Sequence, residues 1–379
     1  MKSILFSDTT LRDGEQMPGV CLSVEHKVRL AALLAAARVD SIEAGFPACG
    51  PDEIAAIRRI CAEVQGVVVL AFARARRADI DRAWEALRDA RPHRRGVSVS
   101  IGTSPIHRGK LRMSEPEVLA AIRDAVAYAR QRFELIAFSP EDAPRTEPPF
   151  LAEVYRTAIA AGARVVGFPD TLGLLTPEKV RDAIAAIVPL LGQARLVVHF
   201  HNDLGLAVAN TLAAVEAGAH GVQCTVNGIG ERAGNAALEE VALALALNAE
   251  QYGRHVRLDL ETLTELSREV ADVTGIALTP HKAVVGRNVF ATSAGIHQDG
   301  LLKDEATYLP FAPALVGGPG VRLVLGKHSG RAGIAARMRA QGFEPTPRAV
   351  EDVRRRLASV GALDESEERS FFETAAAEL

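Results

Sequence analysis

The sequence predicts an α/β protein in which a closed (β/α)8 barrel, the TIM-barrel architecture, is followed by a smaller helical C-terminal region. Eight short apolar runs alternate with longer amphipathic segments before residue 230, and such alternation implies parallel strands joined by crossovers. Polar, chemically useful residues also stand at the carboxyl end of nearly every predicted strand, where such barrels build their active sites. A doubly wound open sheet is the alternative that fits the same alternation.

The predicted strands are short and rich in residues that favour an extended backbone. They are Ile4–Asp8, Val39–Gly45, Val67–Ala73, Gly96–Gly102, Phe133–Ser139, Arg164–Asp170, Arg195–His201 and Gly221–Gly228. The segments between them are rich in Ala, Leu, Glu and Arg, which favour helices. Examples are Glu25–Ala37, Asp52–Val64, Ile80–Ala90, Glu115–Arg132 and Pro177–Leu191.

The alternation ends after Ala249. Helices are predicted over Asp259–Thr274, Arg331–Gln341 and Thr346–Val360, with a Gly- and His-containing stretch over Thr279–Gly330. We therefore expect a catalytic barrel at residues 1–255 and a helical accessory region at residues 256–379, which is an ordinary size for such a unit.

Composition excludes several classes of protein. The 379 residues carry a formal net charge of -3 with scattered basic residues, which is not typical of nucleic-acid binding. Cys21, Cys49, Cys61 and Cys224 form no C-x-x-C pair, as in proteins of a reducing compartment. The N-terminus lacks a signal-peptide pattern, and no apolar run reaches membrane-spanning length. We expect a soluble cytoplasmic protein with no nucleic-acid or membrane partner.

The run Arg195–Asn202, R-L-V-V-H-F-H-N, contains the first candidate metal ligands. His199 and His201 are two residues apart in a predicted strand and therefore face the same side. Two imidazoles that converge from one strand end can bind a divalent metal. The alternative is one structural histidine with an accidental neighbour.

The first predicted strand runs into D-T-T-L-R-D-G-E-Q, which places Arg12 and Asp13 side by side at the barrel mouth. Asp13 can complete a metal site with His199 and His201. Arg12 would then present a fixed positive charge to an anionic substrate or an enolate oxygen. A buried structural Arg–Asp pair is the alternative, and the His-x-His pattern on another strand argues against it.

The eighth strand leads into the Gly-rich loop Asn227–Asn235. Its glycines allow the backbone to approach a ligand closely, and Asn235 can offer an oxygen to a metal. Glu231 and Arg232 can orient the metal ligands. A set of two histidines, one carboxylate and further oxygens suits a divalent ion with open positions for a bidentate oxo acid, and it does not distinguish Zn, Mn, Mg, Fe or Co.

The motifs along the chain resemble those of the alkylmalate synthases, the family that includes 2-isopropylmalate synthase and homocitrate synthase. They follow one another in the family's order over nearly the whole chain. They are D-T-T-L-R-D-G-E-Q at Asp8–Gln16, E-A-G-F-P at Glu43–Pro47, F-S-P-E-D at Phe138–Asp142, P-D-T-L-G at Pro169–Gly173, H-F-H-N-D-L-G at His199–Gly205, N-G-I-G-E-R-A-G-N at Asn227–Asn235, G-I-H-Q-D-G at Gly295–Gly300 and L-G-K-H-S-G at Leu325–Gly330.

The resemblance implies a metal-dependent Claisen condensation by an acyltransferase. Acetyl-CoA would lose a methyl proton and attack the keto carbon of a small 2-oxo acid, and thioester hydrolysis would release CoA. A divalent metal would polarise the oxo acid's carbonyl. By resemblance, the metal is held by Asp13, His199 and His201, with Asn235 in or near its coordination shell.

The resemblance also implies roles for individual residues. Arg12 would stabilise developing oxyanion charge. The residues matched to oxo-acid binding are Gln16, Ser139 and Thr171, of which Thr171 takes the carboxylate. The residues matched to acid/base work are Glu141, His297 and Tyr308. His297 and Tyr308 lie in the accessory region, which in this family reaches the partner's barrel in a homodimer.

The chain departs from the family pattern at several points. We expect no further C-terminal domain of the kind through which leucine inhibits full-length 2-isopropylmalate synthases, and so no inhibition by that route. Ser98, with Ser100 nearby, stands where those enzymes have His, and Gly167 stands where they have Asn. Ala137 replaces the Arg that lysine-pathway homocitrate synthases place before their F-S-S-E-D motif.

These exchanges leave the specificity of the pocket open. A roomier, more polar pocket favours a carboxylate- or phosphonate-bearing oxo acid, such as 2-oxoglutarate or phosphonopyruvate. An exchange that is neutral for packing and leaves specificity unchanged is the other interpretation, since selectivity among small side chains can depend on only ~1–3 kcal/mol.

Two other hypotheses compete with the assignment of the chain as a synthase. One is a carbon–carbon lyase on a related metal-binding barrel, like the hydroxymethylglutaryl-CoA lyases, against which the long accessory region with G-I-H-Q-D-G argues. The other is a non-catalytic protein on a decayed barrel. The complete set Arg12, Asp13, Glu141, His199, His201 and His297 argues against decay.

Overall fold

The structure, a computed structural model, describes residues 1–359, 363 and 365–377 and divides into two compact units. The first unit is Met1–Ala277, and the second begins at Leu278. Among the described residues, no helix is long and apolar enough to cross a membrane. The assignment of residues 256–379 to a dimerisation region stays a prediction.

Residues 1–277 are all described, and within them eight parallel strands close into a barrel in chain order. The short strand β1 (Lys2–Ser3) lies outside it and pairs with β10 (Arg254–His255). The barrel strands are β2 (Leu5–Asp8), β3 (Ser41–Glu43), β4 (Val68–Arg74), β5 (Arg95–Gly102), β6 (Leu135–Glu141), β7 (Val165–Asp170), β8 (Arg195–Phe200) and β9 (Gly221–Cys224). The register Leu5↔Gly221 closes the ring. The barrel prediction is confirmed, and the open sheet is excluded.

The helices of this unit follow the strands as the amphipathic segments predicted. They are α1 (Val24–Ala36), α2 (Pro51–Glu63), α3 (Arg77–Leu87), α4 (Pro105–Leu111), α5 (Glu115–Arg130), α6 (Pro148–Ala161), α7 (Pro177–Ile187), α8 (Ala207–Glu216), α9 (Leu238–Leu247), α10 (Ala249–Tyr252) and α11 (Leu263–Thr274). Several begin with proline at the first position, where its missing N–H loses no hydrogen bond. Ser114 and Glu117 start α5 with a reciprocal capping box.

The two-residue period of the strands separates the core from the site. On β8, Leu196, Val198 and Phe200 are fully buried, while Val197 and His199 line the barrel cavity. Alternate residues of a strand point to opposite faces, so the apolar set packs outward against the helices. The inward positions are thereby left free for polar groups.

The second unit is mainly helical. Strands β11 (Ala291–Thr292) and β12 (Arg322–Leu323) pair in parallel, and the helices are α12 (Gly295–Lys303), α13 (Arg331–Ala340), α14 (Pro347–Leu357) and α15 (Glu365–Ala377). Its core includes Leu325, Ile334, Met338, Val353, Leu357 and Phe372. The helical C-terminal region is thus confirmed. Val360, the predicted end of α14, lies outside the described residues.

Candidate active site

A cavity of about 860 Å³ lies inside the barrel and reaches the carboxyl ends of its strands. Most of the side chains that the sequence predicted for the site line it. They are Arg12, Asp13, Gln16, Ser98, Ser139, Glu141, Gly167, Thr171, His199 and His201. Asn235 is buried beside this group. The loops at the barrel mouth therefore converge as the strand-end positions predicted.

The turn after β2 brings Arg12 and Asp13 back over the barrel mouth. Asp8, the last residue of the strand, accepts hydrogen bonds from Thr10 through the backbone N at 2.9 Å and the Oγ1 hydroxyl at 2.8 Å. The backbone N–H groups of Arg12 and Asp13 both donate to the Thr9 carbonyl, at 3.1 and 2.9 Å. This tight turn fixes where the two side chains point.

Arg12 is held by two carboxylates. Its Nε donates to Glu43 Oε2 at 2.6 Å and its Nη1 to Asp13 Oδ2 at 3.0 Å, and its guanidinium lies 4.8 Å from the centre of the Phe72 ring. Burial alone would lower the pKa of Arg12, but Glu43 and Asp13 outweigh it and raise the pKa. The site therefore keeps an oriented positive charge.

Asp13, His199 and His201 form a compact triangle of potential metal ligands. Asp13 Oδ2 lies 3.8 Å from His199 Nε2 and 4.0 Å from His201 Nε2, and the two Nε2 atoms are 3.2 Å apart. A triangle with these sides has a centre about 2.1 Å from each corner, which is an ordinary distance from a divalent transition metal to its nitrogen and oxygen ligands. The residues fit such an ion.

The protonation states of the triangle also suit a cation. Burial, with the neighbouring His201, lowers the pKa of His199 to about 3, and burial likewise lowers the pKa of His201. Burial alone would raise the pKa of Asp13, but Arg12 and the two histidines outweigh it and lower the pKa. Near neutral pH the set is therefore one carboxylate and two neutral imidazoles, which are the forms that bind metals.

Asn235 completes this corner of the site. Its Nδ2 donates to Asp13 Oδ1 at 2.9 Å and to the Ile229 carbonyl at 3.0 Å. Its Oδ1 is buried and has no hydrogen-bond partner among the described residues. Gly230 has φ +151°, and a Cβ there would lie 2.2 Å from Asn235 Nδ2, so glycine makes room for the amide. The free oxygen fits a cation nearby, but direct ligation by Asn235 stays a prediction.

Glu141 and Thr171 are joined through the loop that follows β6. Asp142, the residue after Glu141, has φ 65°, and its backbone N–H donates to Thr171 Oγ1 at 2.9 Å. The Thr171 carbonyl accepts a hydrogen bond from Arg232 at 2.6 Å, and Arg232 pairs with Asp203 at 2.8 Å. These contacts set the positions of Glu141 and Thr171 at the cavity wall.

Small side chains line the cavity deeper in the barrel. Ser98, Ser139 and Gly167 all face it. A Cβ at Gly167 would lie only 2.1 Å from Ser139 Oγ, so the serine hydroxyl occupies the space above the glycine. Any side chain at position 167 would have to displace that hydroxyl, which couples the two positions.

His297 and Tyr308 belong to the second unit. Their rings stack with centroids 4.1 Å apart and an interplanar angle of 29°, and Tyr308 is 40% exposed. The stacking fixes the two side chains relative to each other. Their predicted acid/base role stays a prediction.

Glu43 and His107 are among the residues of the first unit that contact the predicted set and that the sequence reasoning missed. Glu43, which orients Arg12, was only part of a motif, although its place at the end of β3 is the signal for a site residue. His107, on α4, has its Nε2 3.3 Å from Glu141 Oε1. Because His107 lies on a helix and not at a strand end, the strand pattern gave no signal of this contact.

Two family models match the chain. The HMGL-like model matches residues 3–270. The homocitrate synthase post-HMGL domain-like model matches residues 284–365.

Several curated relatives are similar over most of the chain. The 2-isopropylmalate synthase of Geobacillus kaustophilus is 46% identical over 347 residues, covering 90% of this chain and 67% of the relative. The 2-isopropylmalate synthase of Pyrococcus furiosus is 48% identical over 346 residues, covering 90% of this chain and 69% of the relative. The chain thus spans about two thirds of the length of these relatives.

Solved structures share the architecture at lower identity. The hydroxymethylglutaryl-CoA lyase of Pseudomonas aeruginosa has a TM-score of 0.63 at 24% identity, covering 73% of this chain and 94% of that one. The HMG-CoA lyase of Bacillus subtilis has a TM-score of 0.64 at 19% identity, covering 74% and 97%. This likeness concerns the fold alone.

Proposed function

The chain belongs to the HMGL-like family, and from this premise we infer that it is an acyltransferase that condenses acetyl-CoA with a 2-oxo acid. The new bond joins the acetyl methyl carbon to the keto carbon of the oxo acid, and hydrolysis of the thioester gives a 2-alkylmalate-type product and CoA. Identity of 46–48% to 2-isopropylmalate synthases supports this reaction type. The observation that carries it is the convergence of Asp13, His199 and His201 beside Arg12.

The metal ligands and Arg12 have different electrostatic roles in the proposed reaction. Asp13, His199 and His201 would hold a divalent cation, with Asn235 beside them. When bound, such an ion polarises a carbonyl as a Lewis acid. Arg12, fixed by Glu43, presents its charge to the oxygen that becomes negative as the carbon–carbon bond forms, and a preorganised donor of this kind is among the strongest catalytic devices.

The side chains of Thr171 and Glu141 each present a group that suits their proposed roles. Thr171 Oγ1 accepts the Asp142 N–H, so its hydroxyl proton is available to donate to a substrate carboxylate. Glu141 lines the same cavity and would take part in moving the methyl proton of acetyl-CoA. A group for this task must come within hydrogen-bond reach of the proton.

We also propose a homodimer in which His297 and Tyr308 serve the partner's barrel. A complementation experiment tests this arrangement. Glu141→Gln and His297→Ala variants, each weakly active alone, should regain up to about a quarter of wild-type activity when unfolded and refolded together, because one site in the mixed dimer is then intact. Failure to regain activity from folded, mixed dimers would contradict the shared site.

A second candidate is a synthase for an oxo acid with a polar or anionic tail. Within residues 1–277, the Ser98 and Ser139 hydroxyls line the cavity and make no hydrogen bond to protein. Such hydroxyls suit a tail that accepts hydrogen bonds better than an isopropyl group. The identity to 2-isopropylmalate synthases supports the apolar substrate instead.

A thiol-release assay tests the condensation. Metal-loaded protein is given acetyl-CoA with 2-oxoisovalerate, 2-oxoglutarate, pyruvate, oxaloacetate or phosphonopyruvate, with and without chelator. We expect chelator-sensitive CoA release with one preferred oxo acid, and much slower release by Asp13→Asn. Release with none of them would overturn the synthase. Formation of acetoacetate from hydroxymethylglutaryl-CoA would then support the lyase, and absence of a stoichiometric metal would support a decayed barrel.

A further inference from the structure

His107 lies on the short helix α4, which follows β5. Its Nε2 is 3.3 Å from Glu141 Oε1, and its side chain is 15% exposed, while that of Glu141 is 42% exposed. The imidazole is thus more buried than the carboxylate that it faces. None of the roles proposed above uses it.

The other ring nitrogen of His107 is held by two groups. Nδ1 lies 3.1 Å from Asp142 Oδ2 and 3.0 Å from Ser104 Oγ. Arg145 donates to both oxygens of Asp142, at 2.9 Å each, which keeps that carboxylate an acceptor. An acceptor on this side requires the ring to carry its proton on Nδ1.

This tautomer decides what faces Glu141. With Nδ1 donating to Asp142, the ring presents Nε2 to the carboxylate of Glu141. Nε2 and Glu141 Oε1 are 3.3 Å apart, so one proton held between them forms a hydrogen bond. The geometry is therefore built to receive a proton between Glu141 and His107.

We propose that His107 is a positioning residue and proton partner for Glu141 in the condensation proposed above, on which this inference rests. When the acetyl methyl C–H bond breaks, its electron pair stays on the carbon and the proton goes to Glu141. It is then shared with His107 Nε2, and the imidazolium that results is balanced by Asp142. As the carbon–carbon bond forms, the keto oxygen becomes an alkoxide, and the pair gives the proton to that oxygen to form the product hydroxyl, so the pair ends each cycle unchanged.

The local backbone is shaped for this contact. A Cβ at Gly102, the last residue of β5, would lie 2.5 Å from His107 Cβ, so only glycine lets α4 pack this closely. The other charged side chains near the ring each form an ion pair. Arg145 pairs with Asp142 at 2.7 Å, and Arg108, the next residue on α4, pairs with Glu147 at 3.0 Å and with Glu115 at 3.1 Å.

The first test is a double-mutant cycle on the full, metal-loaded protein. His107→Gln keeps a polar group of similar reach but cannot gain a proton. We expect kcat to fall about 10- to 100-fold with KM for the oxo acid changed less than about threefold, since positioned acid/base groups contribute effects of this order. In the Glu141→Gln background, His107→Gln should add less than about twofold, because residues that act as a unit are not additive.

Two outcomes would overturn the pairing. One is retention of kcat within twofold by His107→Gln, and the other is a full additional loss in the Glu141→Gln background, which a purely structural role would produce. Asp142→Asn is a useful companion variant, since asparagine tolerates the φ of 65° at this position, and it should shift the ring away from the Nδ1–H tautomer. His93→Gln, on an exposed turn, is the matched control and should leave kcat unchanged.

A spectroscopic readout separates this inference from the proposed function. In nitrogen-15 NMR of the labelled protein at neutral pH, the His107 Nε2 signal should move in Glu141→Gln and stay in place in Glu147→Gln. If the wild type releases no CoA with any oxo acid, the condensation fails while this contact is still tested. An unmoved Nε2 signal in Glu141→Gln would overturn the contact itself.

Discussion

Asn235 donates its side-chain N–H to Asp13 Oδ1 over 2.9 Å, which fixes the carboxylate beside His199 and His201. This bond leaves Asp13 Oδ2 facing both histidine Nε2 atoms. A ligating carboxylate that is held in this way is already oriented before a metal arrives. The amide thus matters to the site even without touching the ion.

We therefore expect Asn235→Ala to weaken metal binding by about 10- to 100-fold, the usual effect of removing a group that orients a ligand. The affinity is measured by titrating metal-free protein with Zn²⁺, Mn²⁺ and Co²⁺ in a calorimeter. Asn248→Ala, at an exposed helix end, is the matched control. An unchanged affinity in Asn235→Ala would contradict the role of the amide.

The ion pair between Glu43 and Arg12 gives a second prediction. Glu43 is 1% exposed and accepts the Arg12 Nε and the Thr9 hydroxyl. Glu43→Gln keeps the shape and removes the charge, so Arg12 turns toward Asp13 as its remaining anionic partner. We expect kcat to fall at least about tenfold, because a misdirected donor no longer stabilises the transition state.

In the same Glu43→Gln protein, KM for acetyl-CoA should change less than about threefold, since the Glu43 carboxylate is engaged by Arg12 and Thr9. Steady-state kinetics and a metal titration distinguish the two effects. Glu63→Gln, on an exposed turn of α2, serves as the control for loss of a carboxylate. Full activity of Glu43→Gln would show that Arg12 needs no such anchor.

Much of this site follows from the strand pattern alone. The carboxyl ends of parallel strands meet at one edge, so Asp13 after β2 and His199 at the end of β8 were predicted to converge. The two-residue period of β8 placed His199 and His201 on one side. These inferences needed only local geometry and the closure of the barrel.

Contacts between loops could not be predicted in this way. His107 meets Glu141 because α4 folds back over the end of β5, and that packing depends on the small volume of Gly102. The coupling of Ser139 and Gly167 depends on strand register, which alternation does not specify. The helix Gly295–Lys303 was missed because its glycines and short apolar pattern resemble a loop.

The crowding between Gly167 and Ser139 gives a third prediction. Gly167→Ala would place a Cβ 2.1 Å from Ser139 Oγ, so the hydroxyl must rotate into the cavity. We expect KM for the preferred oxo acid to rise several-fold while metal affinity stays the same. Ser139→Ala should relieve the conflict, so that Gly167→Ala then has a smaller effect, and the double-mutant cycle measures this coupling. Additive effects would contradict a direct contact.

Asp8 gives a prediction about pH. The residue is fully buried at the end of β2, and burial, aided by Glu239 and Glu43 and opposed by hydrogen bonds from Thr10, raises its pKa from 3.8 to about 7. Between these values the folded protein holds a proton that the unfolded chain has lost. Stability therefore falls as pH rises through this window and is level above it.

Asp8→Asn removes the titration and keeps an oxygen that can accept the Thr10 N–H. The free energy of unfolding of the wild type, relative to Asp8→Asn, should fall by about 2–3 kcal/mol between pH 5 and pH 8, from the part of the shift that lies in this range. Urea unfolding in the presence of chelator measures this difference without linkage to metal. Asp182→Asn, another carboxylate of the same unit, is the control and should follow the wild type. Equal pH dependence in wild type and Asp8→Asn would mean that Asp8 is ionised in the fold, and that the Thr10 hydrogen bonds outweigh its burial.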